Sequence, residues 1–199
     1  MDVGRLVARS MRKYRDRVAL EGPEGESTYG RTGARVMQLA RGLRGLGLET
    51  GDRVLDLQSN QNTYIETDFG ISTAGLCRVA LNYRLHPTDW VRITTDCTPK
   101  VLILDIKFWE QSAEIRSMVE HVIVINGDPG ESVEYERFLA DQSTEPLLLS
   151  VDPDALVSLN YSSGTTGNPK GAIRTHRNRM ASLHNIVTDF LGKVPSENS

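Results

Sequence analysis

The segment from residue 162 to residue 171 combines residue types that hold phosphate groups in proteins. It reads Ser-Ser-Gly-Thr-Thr-Gly-Asn-Pro-Lys-Gly. Gly164 and Gly167 permit backbone conformations closed to other residues, so successive N–H groups can turn inward and surround an anion. Hydroxyl donors accompany these amides at Ser162, Ser163, Thr165 and Thr166. Lys170 adds a full positive charge, and Pro169 restrains its approach. The segment is therefore predicted to bind a triphosphate and to offset the charge of departing pyrophosphate.

Two common nucleotide-binding patterns do not fit this segment. A Walker A loop has four residues between two glycines, then Lys and a Ser or Thr, then a helix. Here only two residues separate Gly164 from Gly167, and Gly171 follows Lys170. The dinucleotide pattern G-x-G-x-x-G is also absent. Strand patterns precede and follow the segment, so we expect a flap that joins two strands and covers the ligand. Composition alone is equally compatible with a surface loop that binds nothing.

The rest of the chain alternates strand patterns with helix patterns. Strands are predicted at residues 53–57, 77–81, 101–104, 122–125 and 155–161, and a small hairpin at 18–20 and 27–29. Helices are predicted at residues 1–14, 30–46, 62–75, 88–96, 108–119, 133–140 and 178–191. This alternation predicts an α/β fold with a mostly parallel sheet, right-handed crossovers and helices on both faces. The arginines of helix 30–46 lie mostly off its apolar stripe and are expected to face solvent, at positions 31, 35, 41 and 44.

Composition excludes several classes of protein. The chain has 199 residues, 39% of them hydrophobic and 25% charged, with a net charge of −3. It lacks a basic stripe with interleaved aromatics, so nucleic acid is not expected as a partner. The two cysteines, Cys77 and Cys97, are too far apart for a zinc pattern and are expected to be buried thiols. Neither an apolar signal segment nor a membrane span is recognised, which predicts a cytoplasmic protein without an integral membrane segment.

Residues 161–171 resemble the phosphate-loop signature of the adenylate-forming, or AMP-binding, superfamily. That superfamily includes acyl-CoA synthetases such as fatty-acid–CoA ligases, luciferases and the adenylation domains of peptide synthetases. The usual signature has Thr where this chain has Ser162. Similarity to the superfamily continues at residues 27–30, 40–54, 74–75, 81–85 and 175–178. The resemblance covers nearly the whole chain and is closest to the N-terminal part of an acyl-CoA synthetase.

The resemblance implies two half-reactions. A small-molecule carboxylic acid attacks the α-phosphate of MgATP, which gives acyl-AMP and pyrophosphate, and a thiol, often coenzyme A, then takes the acyl group. The residues implied to hold the ATP phosphates are Ser162, Ser163, Gly164, Thr165, Thr166, Gly167 and Lys170. The hydroxyl of Thr165 or Thr166 is implied to assist Mg²⁺. No catalytic residue is assignable in this chain.

The resemblance also implies a division of the chain. Residues 1–150 are expected to form an α/β N-terminal subdomain. Residues 151–199 are expected to supply a strand, the phosphate loop at 162–171, a second strand and a helix that begin the next subdomain. In the family several hundred further residues complete the acid pocket and the adenine and ribose contacts. The chain by itself is therefore expected to be inactive as a ligase.

Some features depart from the family pattern or leave other functions open. Gln58-Ser-Asn60 replaces the usual Pro-Asn, and the helix at 62–75 is unusually polar. His176 is expected to be a hydrogen-bonded structural histidine rather than a catalytic one. Two alternatives to a CoA ligase remain at this point. One is an adenylation domain that loads a carrier protein, and the other is a non-catalytic module that binds a nucleotide or a partner.

Overall fold

The chain folds into an α/β structure around one large sheet. The computed structural model describes residues 3–22, 24–130, 132–147, 149–162 and 169–185. Within these residues the large sheet has seven strands, and helices cover both of its faces. In the same residues, no helix combines the length and the apolar character that crossing a membrane requires. The predicted fold class is confirmed.

Most of the large sheet is parallel. The strands of the described residues are Val18–Gly22 (β1), Gly25–Thr28 (β2), Arg53–Leu57 (β3), Cys77–Ala80 (β4), Val101–Asp105 (β5), His121–Ile125 (β6), Val133–Glu134 (β7), Leu156–Ser162 (β8) and Lys170–Thr175 (β9). Strands β1 and β2 form the predicted antiparallel hairpin. The others follow the order β7-β6-β5-β3-β4-β8-β9. Neighbours are parallel except for β8 and β9, which pair antiparallel.

Helices pack on the two faces of this sheet and create two apolar cores. The helices of the described residues are Val3–Lys13 (α1), Tyr29–Gly45 (α2), Asn62–Thr73 (α3), Pro87–Cys97 (α4), Ala113–Arg116 (α5), Tyr135–Ala140 (α6) and His176–Asn185 (α7). Val54 of β3 packs against α2 and α3 in one core, whereas its neighbour Leu55 packs against Trp90 of α4 in the other. Successive strand residues point to opposite faces, so both must be apolar here.

Two predicted helices are shorter than the sequence pattern indicated. In place of a helix over residues 108–119, the chain forms two short 3₁₀ turns, Ile106–Phe108 and Glu110–Ser112. The α-helix α5 begins only at Ala113. The hydroxyl of Ser112 donates to the Trp109 carbonyl at 2.9 Å, a local bond that competes with a regular helix. The prediction for 133–140 was wrong at its start, because Val133–Glu134 is strand β7. The Glu134 carboxylate then accepts the amides of residues 136 and 137 and caps α6.

The expectation that the α2 arginines face solvent was wrong for most of them. Arg31 is exposed, but Arg35, Arg41 and Arg44 are half-buried. Arg35 donates to Glu66 of α3 at 2.7 Å and to both carboxylate oxygens of Glu136 at 2.7 and 2.6 Å. The side chain lies off the apolar stripe as predicted. However, α3 and α6 flank α2 there, so the position faces carboxylates rather than water.

Candidate functional site

Strands β8 and β9 are the two arms of a hairpin that carries the predicted phosphate segment. Ser162, the last residue of β8, lies opposite Lys170, the first residue of β9. Directly opposite residues in an antiparallel pair project from the same face, so these two polar side chains flank one side of the hairpin end. Both are exposed. The structure thus has strands on both sides of the segment, as the sequence predicted.

The other predicted phosphate ligands lie outside the described residues. These are Ser163, Gly164, Thr165, Thr166 and Gly167, including both candidate magnesium ligands. Among the residues that the structure describes, no group of three or more His, Cys, Asp or Glu side chains is arranged to hold a metal ion. The roles of these five residues remain predictions from the sequence.

The hairpin end lies at the edge of the sheet where α/β proteins bind ligands. Strand β8 runs parallel to β4, with Arg78 opposite Ser158 and Val79 opposite Leu159. Ser162 therefore ends β8 on the same side of the sheet as the carboxyl ends of β3, β4 and β5. In parallel sheets, ligands bind beyond these carboxyl ends.

A polar cleft extends from the hairpin along the face that carries Ser162 and Lys170. Ser158 and Asn160 project from the same face of β8 as Ser162, because every second residue of a strand shares a face. Arg174 of β9 lies opposite Ser158 on that face. The cleft has a volume of about 300 Å³. Side chains from α3, β4, β8, β9 and α7 line it, among them the three arginines Arg78, Arg174 and Arg179.

A buried ion-pair network forms the floor of this cleft. Asp56 of β3 is 0% exposed and Arg78 of β4 is 6% exposed. Arg78 donates to the Asp56 carboxylate through Nε at 2.7 Å and approaches Asp68 of α3 at 3.4 Å. The hydroxyl of Thr67 donates to Asp56 at 2.8 Å, and the Gln58 amide donates at 2.6 Å. Burial by itself would lower the pKa of Arg78, but the two carboxylates raise it, so the guanidinium stays charged.

The same network holds helix α7 against the sheet. Arg179 of α7 donates to the Asp68 carboxylate through both terminal nitrogens and to the Ser72 hydroxyl at 2.9 Å. Arg174, at the base of the hairpin, donates to Ser182 of α7 at 3.1 Å. The helix that follows the β8–β9 hairpin is therefore attached to α3 and β9 by charged hydrogen bonds.

The segment Thr175-His-Arg-Asn178 caps the start of helix α7. The Asn178 amide donates to the Thr175 hydroxyl at 3.2 Å, and the Asn178 side chain accepts the Thr175 amide at 3.1 Å. This reciprocal arrangement is a capping box, which satisfies amides at the start of α7. His176 is 2% exposed, and its amide donates to the Ala155 carbonyl at 3.1 Å. Burial at a helix start fits the structural role expected for this histidine.

Sequence reasoning missed the ion-pair network, although a signal for it was present. Asp56 and Arg78 are charged residues that stand between apolar residues in the strand segments 53–57 and 77–80. Buried charges are found mainly as pairs, so opposite charges in two such strands indicate a pair between neighbours. The unusually polar helix at 62–75 was the second signal, since its Asp68 completes the network.

Comparison with known proteins identifies the family. The model of the family described as AMP-binding enzyme matches residues 7–196. The chain belongs to the AMP-binding enzyme family. A 3-hydroxybenzoate/4-hydroxybenzoate–CoA ligase of Thauera aromatica is 29% identical over 200 residues, which cover 98% of this chain and 38% of the relative. A feruloyl-CoA synthase of an Amycolatopsis species is 34% identical over 162 residues, which cover 81% of this chain and 31% of the relative.

A solved structure of an AMP-binding enzyme agrees with the fold. The anthranilate CoA ligase in complex with anthranoyl-AMP superposes with a TM-score of 0.89 at 28% identity, over 95% of this chain and 37% of that chain. The chain thus spans about a third of the length of the relatives it matches. Its counterpart in these ligases is the N-terminal part.

Proposed function

We propose that this chain is the triphosphate-binding part of an ATP-dependent acid–thiol ligase. In that reaction a carboxylic acid is activated as its acyl-adenylate with release of pyrophosphate, and the acyl group passes to coenzyme A. The observation that carries the proposal is the hairpin β8–β9. It brackets the glycine- and hydroxyl-rich segment between Ser162 and Lys170 at the carboxyl edge of a parallel sheet. The family membership supports the same reading.

The donor set of the hairpin fits a polyphosphate better than any other ligand class. Lys170 is exposed and stands opposite the Ser162 hydroxyl, so an ammonium group and a hydroxyl face the same volume. Ser163, Thr165 and Thr166 would add hydroxyls, and Gly164 and Gly167 would let backbone amides point at the phosphates. These residues bind and orient the triphosphate and disperse the charge that develops on pyrophosphate.

Magnesium and coenzyme A complete the proposed reaction. Mg²⁺ bound to the phosphates would neutralise their charge and polarise the phosphorus that is attacked. We assign Thr165 or Thr166 to it as a hydroxyl ligand. Coenzyme A is preferred over a carrier protein as the acyl acceptor because both relatives described above are named for CoA products or CoA ligation. The acid is proposed only as a class, because the three relatives act by name on different acids.

The proposal includes the division of the chain near residue 150. Residues 151–199 would begin a second subdomain of the longer ligase, although β8 and β9 continue the sheet of residues 1–150 through the β4–β8 pair. Since the chain spans about a third of its relatives, we expect the isolated 199-residue chain to bind ATP but not to form acyl-CoA.

Substitution of the phosphate segment tests the proposal. In a full-length ligase that contains this chain, Lys170→Ala and Gly164→Ala should each slow acid-dependent pyrophosphate release by about 100-fold. Lysine loss removes a charge from the transition state, and a methyl at position 164 obstructs the amides that face the anion. Release is measured with a coupled pyrophosphate assay, and ATP binding to the 199-residue chain is measured by calorimetry.

Matched substitutions elsewhere serve as controls. Lys100→Ala removes the same charge from the residue that precedes β5, at the amino ends of the parallel strands. There the Lys100 ammonium pairs with Asp52 at 2.8 Å. Gly45→Ala adds the same methyl at the exposed end of α2, where it meets open space. Both controls should retain wild-type pyrophosphate release. Unchanged release in the Lys170 and Gly164 variants would refute the assignment of this segment.

A further inference from the structure

The last turn of helix α4 carries a carboxylate whose charge is unfavourable at that end of a helix. Asp96 lies in the last turn of α4, where the helix dipole places partial negative charge. The stabilising charge at this end comes instead from Arg53, which donates to the carbonyls of Cys97 and Thr98 at 2.8 and 2.9 Å. An acidic side chain near a helix C-terminus is unfavourable, because it meets the partial negative charge of the helix dipole. Asp96 is also exposed, so apolar packing does not explain its presence either.

The Asp96 carboxylate has a partner on the phosphate hairpin. Tyr161 donates its hydroxyl to Asp96 across 65 residues of sequence. Its ring packs against the core formed with α4. Burial, together with the Asp96 carboxylate, raises the pKa of the Tyr161 hydroxyl above its usual value, so it remains a donor at neutral pH.

The neighbouring strand leaves room for this ring. Gly171 lies opposite Tyr161 in the β8–β9 pair. A Cβ at position 171 would approach the Tyr161 ring to 3.0 Å at Cζ and 3.2 Å at Cε1, closer than ordinary contact. Glycine at position 171 therefore gives the ring room to lie across β9, whereas a side chain there would push the ring away from its present position. The immediate neighbours of this pair are Ser162 and Lys170, which project from the other face of the same hairpin end.

We propose that the Tyr161–Asp96 hydrogen bond fixes the phosphate hairpin on helix α4 and thereby positions Ser162 and Lys170 for the triphosphate. Tyr161 and Asp96 are positioning residues, because their contact lies on the face opposite the proposed ligand. Helix α4 is a firm support, since Trp90 is 1% exposed and its indole N–H donates to the Asn82 carbonyl at 3.0 Å. The functional part of this inference rests on the proposed ATP site, whereas the anchoring of the hairpin does not.

Amide hydrogen exchange tests the anchoring without any nucleotide. The variants are Tyr161→Phe, Asp96→Asn and the two combined, all in the 199-residue chain. Each single variant should exchange the amides of residues 160–162 and 170–172, which belong to the β8–β9 pair, about fivefold or more faster than wild type, because hairpin opening no longer breaks a charged hydrogen bond. The double variant should match the single variants. Equal exchange in wild type and both single variants would overturn the inference.

Steady-state kinetics in the full-length ligase then tests the consequence for ATP. Tyr161→Phe and Asp96→Asn should raise the KM for ATP about five- to tenfold, with a smaller effect on the KM for the acid. A role confined to stability would lower the yield of folded enzyme but leave both KM values unchanged. Faster exchange with an unchanged KM for ATP would sustain the anchoring and overturn its role in positioning the phosphate ligands. Absence of any ATP turnover in wild type would instead reject the proposed function.

Matched controls separate the hydrogen bond from general damage. Tyr83→Phe removes a hydroxyl from another tyrosine that packs on the same core. Asp89→Asn neutralises another carboxylate of α4, one that pairs with Arg92 on the surface. Both controls should leave exchange of residues 160–162 and 170–172 at the wild-type rate. If they accelerate it as much as the test variants do, the effect belongs to α4 as a whole and the inference fails.

Discussion

At the scale of single residues, burial decides which groups can react. Cys77 of β4 and Cys97 of α4 are both free thiols, and both are buried. Removal from water disfavours a thiolate, and this raises the pKa of Cys77 to about 11 and that of Cys97 to about 12, despite the nearby positive charge of Arg53. Two thiols that would be nucleophilic in an open cleft are therefore expected to be inert here.

Thiol labelling measures this protection directly. At pH 8 the folded chain should react with a disulfide reagent at least about a hundredfold more slowly than the chain in concentrated urea, because only the thiolate reacts. Reaction of the folded chain should accelerate as pH rises toward 11, where about half of the Cys77 thiol is ionised. Rapid labelling of two thiols in the folded chain at pH 8 would show that the cysteines are not buried as described.

At the scale of elements, one glycine sets how closely two helices approach. Gly70 of α3 faces Leu39 of α2, and a Cβ there would lie 2.6 Å from Cδ2 and 2.9 Å from Cγ of that leucine. Leu39 is 0% exposed within the core, so it has little room to move. The close contact also brings Glu66 of α3 within reach of Arg35 on α2.

Alanine substitution at two helical glycines tests this packing. Gly70→Ala should lower the free energy of unfolding by about 1–3 kcal/mol, because overpacking the core outweighs the better helix propensity of alanine. Gly45→Ala at the exposed end of α2 should leave stability unchanged or raise it by up to about 1 kcal/mol. Urea denaturation followed by circular dichroism gives both values. A stabilising Gly70→Ala would mean that α2 and α3 do not touch there.

At the scale of the whole molecule, the sheet has an apolar half and a polar half on one face. Toward β5 and β6 this face is covered by the apolar core of α2, α3 and α6. Toward β4, β8 and β9 it carries Asp56, Arg78 and Arg174, and α7 is attached through charged hydrogen bonds. The phosphate hairpin thus belongs to the part of the molecule that ion pairs hold together.

Removal of the central carboxylate should weaken that part of the molecule. Asp68→Ala deprives Arg179 and Arg78 of a shared partner, and we expect a loss of about 2–3 kcal/mol in the free energy of unfolding. The matched control is Asp154→Ala, which breaks the exposed pair between Asp154 and Arg177 of α7 and should leave the free energy of unfolding close to the wild-type value. Equal costs in urea denaturation would show that the buried network contributes no more than a surface pair.

Local sequence patterns predicted much of the fold. The apolar runs at β5 and β6 exceed what a half-exposed strand needs, so they predicted buried parallel strands within one residue of their observed bounds. The apolar stripe of α2 and the proline at the first position of α4 predicted those helices equally well. The helix predicted at 108–119 failed because short-range bonds from Asp105 and Ser112 competed with it.

Part of the candidate site was likewise predicted from local sequence, and part of it became visible only in the tertiary structure. Residue order alone predicted the strands on either side of 162–171, which the structure confirms, and a phosphate-binding role for the segment between them, which stays a prediction. Composition could not reveal that Tyr161 reaches Asp96, since 65 residues separate them. It also could not pair Asp56 with Arg78 or attach Arg179 to Asp68.

The sequence by itself determined most of the elements, the family resemblance and the residue types of the proposed phosphate segment, because these depend on residues close together in the chain. The tertiary structure alone decided which strands are neighbours, which charges are buried as pairs and which helix supports the hairpin. These depend on contacts between distant residues, such as β4 with β8, whose partners no local pattern specifies.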